Sequence, residues 1–174
     1  MRASRIACTL LAVLALPVLL VAKGRTVKIV VTGGELAAPL EITKAGVEKF
    51  GVWEGPGTAV NGVPQTEGFI CDWKLGHVGD RPEGRRVYEL SFYAARDHDP
   101  PRLVYIVLYD IDPATKEGFV YLGGHALETY ELNTSSIYRH GYEGKRFRAT
   151  KAWDDFVRPV LEGASRRNLQ VPPN

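Results

Sequence analysis

Three carboxylates surround one short turn of the chain: Asp110 and Asp112 precede the turn, and Glu117 follows it. Carboxylate oxygens are ligands that calcium prefers in proteins, so the turn is a candidate calcium site, and no other cofactor is predicted. The spacing departs from an EF-hand loop, which requires an acidic or amide residue and then a glycine where this chain has Ala114 and Thr115. Acidic residues also commonly end strands and begin turns, and that alternative stays open.

A histidine flanked by two aspartates, His98, offers the imidazole that an enzyme would need beside Asp110 and Asp112. Together they could serve a small hydrolase or a metal-dependent enzyme, provided that separate loops bring them into one pocket. The chain has no His-Glu-x-x-His pair, and it lacks the Gly-x-Ser-x-Gly and Ser-x-x-Lys nucleophile motifs. An enzyme is therefore an alternative and not the leading hypothesis.

Four aromatic side chains are candidates for binding a ligand by stacking: Trp53, Tyr105, Tyr109 and Tyr121. Tyr105 and Tyr109 are separated by an even number of positions on one predicted strand and therefore share a face, and Tyr121 on the next strand could join them. An exposed aromatic row of this kind would suit a sugar or a peptide. Ordinary packing between neighbouring strands would explain the same residues.

Residues 51–68 contain five glycines and two prolines, a density that predicts one long loop without regular structure. Loops of this length inside compact domains are uncommon and often functional, so this loop and the neighbouring strand ends are the first candidate for a binding edge. The competing interpretation is a cover over one end of the sheet, pinned by Trp53.

Residues 102–112 form the most strand-like stretch of the chain, because apolar side chains occupy both alternating faces. A strand that is apolar on both faces belongs in the interior of a sheet. The stretches 86–93 and 118–122 also alternate, and short connections on both sides predict a three-strand antiparallel meander. Further strands are predicted at 25–32, 38–43, 69–74 and 126–132, and irregular structure is predicted at 133–149.

The C-terminal region has a different period, with apolar pairs every four residues from Ala152 to Ala164, which predicts an amphipathic helix. Thr150 is a suitable N-cap, and Pro159 predicts a kink or a fresh start at Arg158. The predicted fold is thus mainly β: a single antiparallel β-sandwich or a curled open sheet, with the C-terminal amphipathic helix packed on it. An α+β domain is the alternative.

Residues 1–24 are interpreted as a secretory signal peptide, because a basic start precedes the uncharged apolar run of residues 6–22. Cleavage is plausible after Ala22 or after Gly24, and Gly24 is favoured because small residues then occupy both inspected positions. The alternative is an uncleaved anchor, although about 17 helical residues span only about 25 Å. The protein is thus predicted to be secreted or periplasmic, with a membrane contact only if the segment stays attached.

The precursor has 22 Lys and Arg residues against 20 Asp and Glu, and removal of the first 22 residues takes away two basic residues, Arg2 and Arg5, and no acid. The remaining chain is close to neutral, so charge gives no support for a nucleic-acid partner. Roughly 150 residues, 25–174, make one domain. Cys71 is the only cysteine outside the signal, which excludes an intramolecular disulfide and predicts a buried thiol.

These observations favour a non-enzymatic exported domain. Its partner would be an unidentified protein, peptide or carbohydrate, bound through residues 51–68 and the adjacent strand ends. The enzyme that would use Asp110, Asp112 and His98 is one alternative. A structural envelope protein without a ligand is the other.

Overall fold

The computed structural model describes residues 24–53, 59–60, 63–64, 69–79, 86–96, 98–123, 133 and 142–169. Within these residues the protein is mainly β, with a six-stranded open antiparallel sheet and a C-terminal helix, Lys151–Leu169. The predicted fold class is therefore confirmed in its open-sheet form. Residues 1–23 of the predicted signal segment 1–24 lie outside the described residues, as does the predicted strand at 126–132.

The strands in chain order are β1 (Arg25–Gly33), β2 (Leu40–Ile42), β3 (Ala59–Val60), β4 (Val63–Pro64), β5 (Val87–Ala95), β6 (Arg102–Ile111), β7 (Gly118–Leu122) and β8 (Arg146–Arg148). The main sheet has the order β2-β1-β5-β6-β7-β8, and every neighbouring pair is antiparallel. The predicted meander is confirmed as β5, β6 and β7. Strand β6 lies in the interior of the sheet, as its two apolar faces predict.

One face of the sheet carries the hydrophobic core. Residues that pair directly across neighbouring strands lie on the same face, and the register aligns a continuous set of apolar side chains across all six strands. All members of this set are buried: Ile42, Ile29, Val31, Tyr88, Leu90, Phe92, Tyr105, Val107, Tyr109, Val120, Leu122 and Phe147. The period-two alternation of the sequence therefore identifies the core face correctly.

The C-terminal helix packs on this face. Thr150 caps it as predicted, because the amide of Trp153 donates to Thr150 Oγ1 at 3.2 Å. The helix is one element from Lys151 to Leu169 with Pro159 inside, so the predicted fresh start at Arg158 is wrong. Its buried stripe, which includes Val157 on the turn before the proline, packs against the sheet and outweighs the lost backbone hydrogen bond.

Trp153 is the centre of the contact between helix and sheet. Its side chain has no exposed surface, and its ring centroid lies 5.0 Å from that of Phe50 and 6.0 Å from that of Tyr109, both in edge-to-face geometry. Burying an indole in such a cluster typically contributes about 3–5 kcal/mol relative to alanine. The amphipathic pattern of the C-terminal region is thus the sequence signal for the second layer of the fold.

The strand predicted at residues 69–74 is wrong. Phe69 adopts φ 57°, in the left-handed region, which ends any extended run at that residue. A 3-10 helix, Trp73–Leu75, follows and is capped by Asp72, whose carboxylate accepts from the amide of Lys74 at 3.1 Å. Alternation over so few residues cannot distinguish a strand from a buried turn.

Cys71 is buried with a free thiol, which confirms the expected burial. Its backbone forms an isolated antiparallel bridge with Ala149, immediately after β8. The irregular structure predicted at residues 133–149 is wrong at β8, and the absence of regular structure predicted at 51–68 is wrong at β3 and β4, which pair with each other.

None of the helices in the described part of the chain combines the length and the apolar character needed to cross a membrane.

Candidate functional site

Asp110, the first acid of the predicted calcium turn, is paired within the sheet. Arg146 Nε donates to Asp110 Oδ2 at 3.2 Å, and Arg146 Nη2 donates to Oδ1 at 2.7 Å. The two side chains are only 3% and 5% exposed, and the guanidinium carbon lies 3.8 Å from the ring centroid of Phe119. Both carboxylate oxygens therefore serve a buried fork-shaped ion pair between β6 and β8.

The other two acids also have protein partners. Asp112 Oδ1 accepts from the amides of Ala114 at 2.8 Å and Thr115 at 3.1 Å, which builds the turn between β6 and β7. Glu117 Oε1 accepts from Arg148 Nη1 at 2.9 Å. Across the residues that can be described, His, Cys, Asp and Glu side chains form no group of three placed to hold a metal ion. The geometry is that of acids which end a strand and build a turn.

The residues of the enzyme alternative are not brought together. His98 lies in the turn between β5 and β6, before β6 begins, and is exposed. Asp110 and Asp112 lie at the opposite end of β6. Asp110 lies eight positions after Arg102 along β6, which at about 3.3 Å per residue corresponds to roughly 26 Å. A side chain cannot span that distance, so His98 and the two aspartates do not share a pocket.

The three candidate tyrosines do not form an exposed row. Tyr105 and Tyr109 share one face of β6, as predicted, but neither has exposed surface. Because Tyr109 pairs with Val120, Tyr121 lies on the opposite face of the sheet, where it is partly exposed. Packing explains the buried pair, since the ring of Phe69 meets that of Tyr105 edge to face at 5.6 Å.

Tyr109 belongs to a polar cluster that ties the helix to the end of β6. Its hydroxyl donates to Asp154 Oδ1 at 2.7 Å, and the amide of Gly118 donates to Asp154 Oδ2 at 3.1 Å. Arg158 Nη2 donates to the same Oδ2 at 3.0 Å and also to the carbonyl of Lys116. Burial, and then the neighbouring Asp154 carboxylate, raise the pKa of Tyr109 well above its ordinary value. The tyrosine is a neutral donor in this cluster.

Gly118 is required by the close approach of this cluster to β7. A Cβ built on Gly118 would overlap Asp154 Oδ1 and would lie 2.6 Å from the hydroxyl oxygen of Tyr109. Any larger residue would therefore displace the carboxylate or the phenol. The cluster is a close-packed structural contact and not an open site.

Trp53 lies at the other end of the sheet, where β1 and β6 begin and β5 ends. Its indole Nε1 donates to the carbonyl oxygen of Gly24 at 2.7 Å, which fixes the ring beside the start of β1. The ring forms one wall of a pocket of about 240 Å³, together with residues 94–96 at the end of β5 and residues 99–102 of the following turn. The structure thus joins Trp53 to adjacent strand ends, as the predicted binding edge requires.

The pocket carries three charged side chains, Arg96, Asp99 and Arg102, all exposed. Within the described part of the chain, none of the three has an ion pair or a side-chain hydrogen bond. The two arginines give the pocket a net positive charge. Sequence reasoning missed them, although they flank a short turn between two strongly alternating strands, and antiparallel pairing necessarily brings such positions together.

A wider groove of about 640 Å³ lies between the start of the helix and a 3-10 turn, Val47–Lys49. Two charged residues line it: Asp155 is paired with Lys151, whose Nζ lies 2.6 Å from Asp155 Oδ2, and Lys49 has no ion pair in the described chain. The Trp53 pocket, where three charged groups lack a partner among the described residues, is the better candidate site.

The chain matches no protein-family model, no curated protein and no solved structure. The function must therefore be inferred from the chemistry of its own residues.

Proposed function

We propose that this protein is an exported, non-enzymatic domain that binds a small ligand in the Trp53 pocket. The observation that carries the proposal is the convergence of a fixed indole ring with two guanidinium groups that have no protein partner among the described residues. Unpaired charged groups beside an oriented aromatic ring are typical of binding sites, because a ligand can satisfy the charges and cover the ring.

The position of the pocket supports the proposal. Trp53 of the predicted loop 51–68 lines it, and paired strand ends hold its walls: Ala94 pairs with Arg102 across β5 and β6, and Arg25 pairs with Ala95 across β1 and β5. Sites built on strands are held more precisely than sites built on free loops. A pocket of about 240 Å³ is slightly smaller than those that enclose drug-sized ligands, roughly 300–1,000 Å³, so the ligand or its bound part is small.

Export rests on the N-terminal sequence, which favours a secreted or periplasmic location. Gly24 bears on the cleavage position, because its carbonyl accepts the Trp53 indole hydrogen and it lines the pocket. Cleavage after Ala22 keeps Gly24 in the mature protein, whereas cleavage after Gly24 removes it. We therefore propose cleavage after Ala22. The intact mass of the exported protein tests this: a chain that begins at Lys23 supports it, and a chain that begins at Arg25 contradicts it.

The proposed function is tested by titrating the exported chain with a panel of neutral and acidic sugars, amino acids and short peptides. The Trp53 indole N–H resonance in two-dimensional NMR reports binding at the pocket. We expect at least one compound to shift it saturably, and Trp53→Ala to weaken the binding of that compound at least tenfold, as measured by calorimetry.

Tyr121→Ala is the control, because it truncates a partly exposed aromatic residue on the outer face of the sheet and should leave the affinity unchanged. Circular dichroism of both variants establishes that they are folded. Arg102→Ala is a second pocket variant in case Trp53→Ala fails to fold. A panel that never shifts the indole resonance, or binding that survives both pocket variants, contradicts the proposal.

A further inference from the structure

We infer that the Trp53 pocket recognises the carboxylate of a small molecule that also carries a hydroxyl or ammonium donor. The inference rests on the proposed function and names the chemistry of its ligand. A sugar acid and an amino acid share this chemistry, and the test below separates the two.

The guanidinium groups select the carboxylate. Arg96 and Arg102 line the same pocket of about 240 Å³, and in the described residues neither makes an ion pair. A guanidinium presents a rigid fork of N–H donors that matches the two oxygens of a carboxylate, and such charge-assisted pairs are stronger than neutral hydrogen bonds. Arginines elsewhere in the described chain also pair with carboxylates, for example Arg146 with Asp110, Arg148 with Glu117 and Arg158 with Asp154.

The backbone holds the two arginines in place. Arg102 is the first residue of β6 and pairs with Ala94 in the ladder. Arg96 directly follows β5, and its carbonyl accepts from the amide of Asp99 at 3.1 Å, which closes the start of the turn. The Cα positions from which both side chains extend are therefore fixed before a ligand arrives, which reduces the entropy lost on binding.

Asp99 limits the charge of the ligand and supplies an acceptor. Its exposed carboxylate lies on the same pocket as the arginines and has no protein partner among the described residues. A ligand with one carboxylate matches the net charge of the three side chains, whereas a second carboxylate would be repelled by Asp99. A hydroxyl or ammonium group on the ligand can donate to Asp99, which completes the pairing of all three charged groups.

Trp53 contributes apolar surface. Its only N–H is already donated to Gly24, so the ring meets a ligand through its π surface. Pro100 and Pro101 add apolar walls on the other side of the pocket. The body of the ligand is therefore a small apolar or C–H-rich group, such as one face of a sugar ring or one amino-acid side chain.

Two pairs of compounds test the inference on the exported chain, and the members of each pair differ in the carboxylate. Glucuronate is compared with glucose, and phenylalanine with phenylalaninamide, by calorimetry at low and at moderate salt. We expect at least one carboxylate compound to bind at least tenfold more tightly than its partner without the carboxylate, and the advantage to shrink as salt screens the exposed guanidinium groups. Preference for glucuronate identifies a sugar acid, and preference for phenylalanine identifies an amino acid.

Arg96→Ala and Arg102→Ala should each reduce the preference for the acid at least tenfold, while Arg167→Ala, an equal loss of charge at an exposed position of the C-terminal helix, should leave it unchanged. Compounds without a carboxylate that bind as tightly as the acids at the Trp53 indole overturn the inference and leave the proposed function standing. Acids that bind equally well to the arginine variants also overturn it. If none of the four compounds shifts the indole resonance, the inference is wrong, and the wider panel then decides the proposed function.

Discussion

The two ends of β6 carry the same kinds of charged residue in opposite states. At the end where β7 begins, Asp110 accepts hydrogen bonds from Arg146 of β8, and Asp154 accepts one from Arg158, one turn along the same helix. At the end where β5 turns into β6, Arg96 and Arg102 line a pocket, and no acid of the described chain pairs with them. The charged groups at one end of β6 are thus paired, and those at the other end have no partner within the described chain.

The difference separates stability from function. A buried charge must be paired, because an unpaired charge in a low-dielectric interior is costly, and the buried Asp110 is accordingly paired with Arg146. An exposed arginine loses little by lacking a protein partner and stays available for a ligand. Charges that the fold has paired are expected to control unfolding, and charges that it has left unpaired are expected to control binding.

The substitution Arg146→Ala is the strongest test of this difference between the two ends of β6. The substitution leaves Asp110 buried without its partner, and removing one member of a buried ion pair typically costs about 3–5 kcal/mol. We expect a loss of that size in the free energy of unfolding, measured by urea denaturation. Arg148→Ala, two residues along the same strand, removes only an exposed pair with Glu117 and should cost at most about 1 kcal/mol.

The double variant Asp110→Leu/Arg146→Met refines the interpretation. Because both charges are removed together, most of the lost stability should return if the pair itself, and not the side-chain volume, is the cause. Equal losses in Arg146→Ala and Arg148→Ala would show that burial does not distinguish the two arginines, and the comparison would fail at its paired end.

Asp154→Ala tests the contact between the helix and this end of the sheet. Without the carboxylate, the buried Tyr109 hydroxyl and the Gly118 amide lose their acceptor, and such losses cost roughly 1.5–3 kcal/mol. Asp155→Ala is the neighbouring control: it breaks an exposed pair with Lys151 one turn away and should cost less than about 0.5 kcal/mol. Thermal or urea unfolding of the two variants side by side checks the expectation, and equal effects would contradict it.

Alkaline pH should lower the free energy of unfolding, and part of this decrease should depend on Tyr109 at the paired end. Its folded pKa is raised above the unfolded value near 10, first by burial and then by Asp154. Below about pH 10 Tyr109 is protonated in both the folded and the unfolded state, and its contribution to the free energy of unfolding is complete. Above about pH 10 the unfolded state releases the proton more readily than the folded state, so stability falls as pH rises. The slope from one such group is at most about 1.4 kcal/mol per pH unit.

Tyr109→Phe should therefore flatten the dependence of unfolding free energy on pH between about pH 10 and about pH 11. The substitution should not abolish the pH dependence, because burial also raises the pKa of Tyr88, although Arg86 and Ser165 oppose that shift. Urea denaturation at a series of pH values measures both slopes. Identical slopes for the wild-type protein and Tyr109→Phe would mean that Tyr109 does not titrate differently in the two states.

At the paired end of β6, the sequence predicts the strands and the helix better than it predicts the contacts between their side chains. Alternation over β5, β6 and β7 identifies the meander because each strand has at least one dry face, and the four-residue period identifies the helix. The face on which Tyr121 lies is not predicted in this way, because it is set by the register of β6 with β7. A register shift of one residue decides whether Tyr121 lies on the same face as Tyr109 or on the opposite face. Register of that kind depends on the turn and cannot be read from alternation alone.

Some residues of the candidate site could likewise be predicted from the sequence, and others could not. Trp53 is predicted because an indole in a glycine-rich loop is conspicuous, and the structure places it in a pocket. Asp110 is proposed as a calcium ligand because nothing local reveals Arg146, which lies 36 residues away and comes beside it only when β8 joins the sheet. Arg96 and Arg102 are missed for the converse reason: surface arginines are common, and only the pocket that the fold makes around these two distinguishes them.

The smallest expected effect on stability is the most informative about function. Arg102→Ala makes the same chemical change as Arg146→Ala, at the opposite end of the sheet, but its guanidinium is exposed and without an ion pair in the described chain. We expect the free energy of unfolding to change by no more than about 0.5 kcal/mol, measured by the same urea denaturation. A loss of more than about 1 kcal/mol would mean that Arg102 has a structural partner and is not reserved for a ligand. Stability that is unchanged, together with a lost preference for carboxylates, is the result that separates the two ends of β6 into a structural end and a binding end.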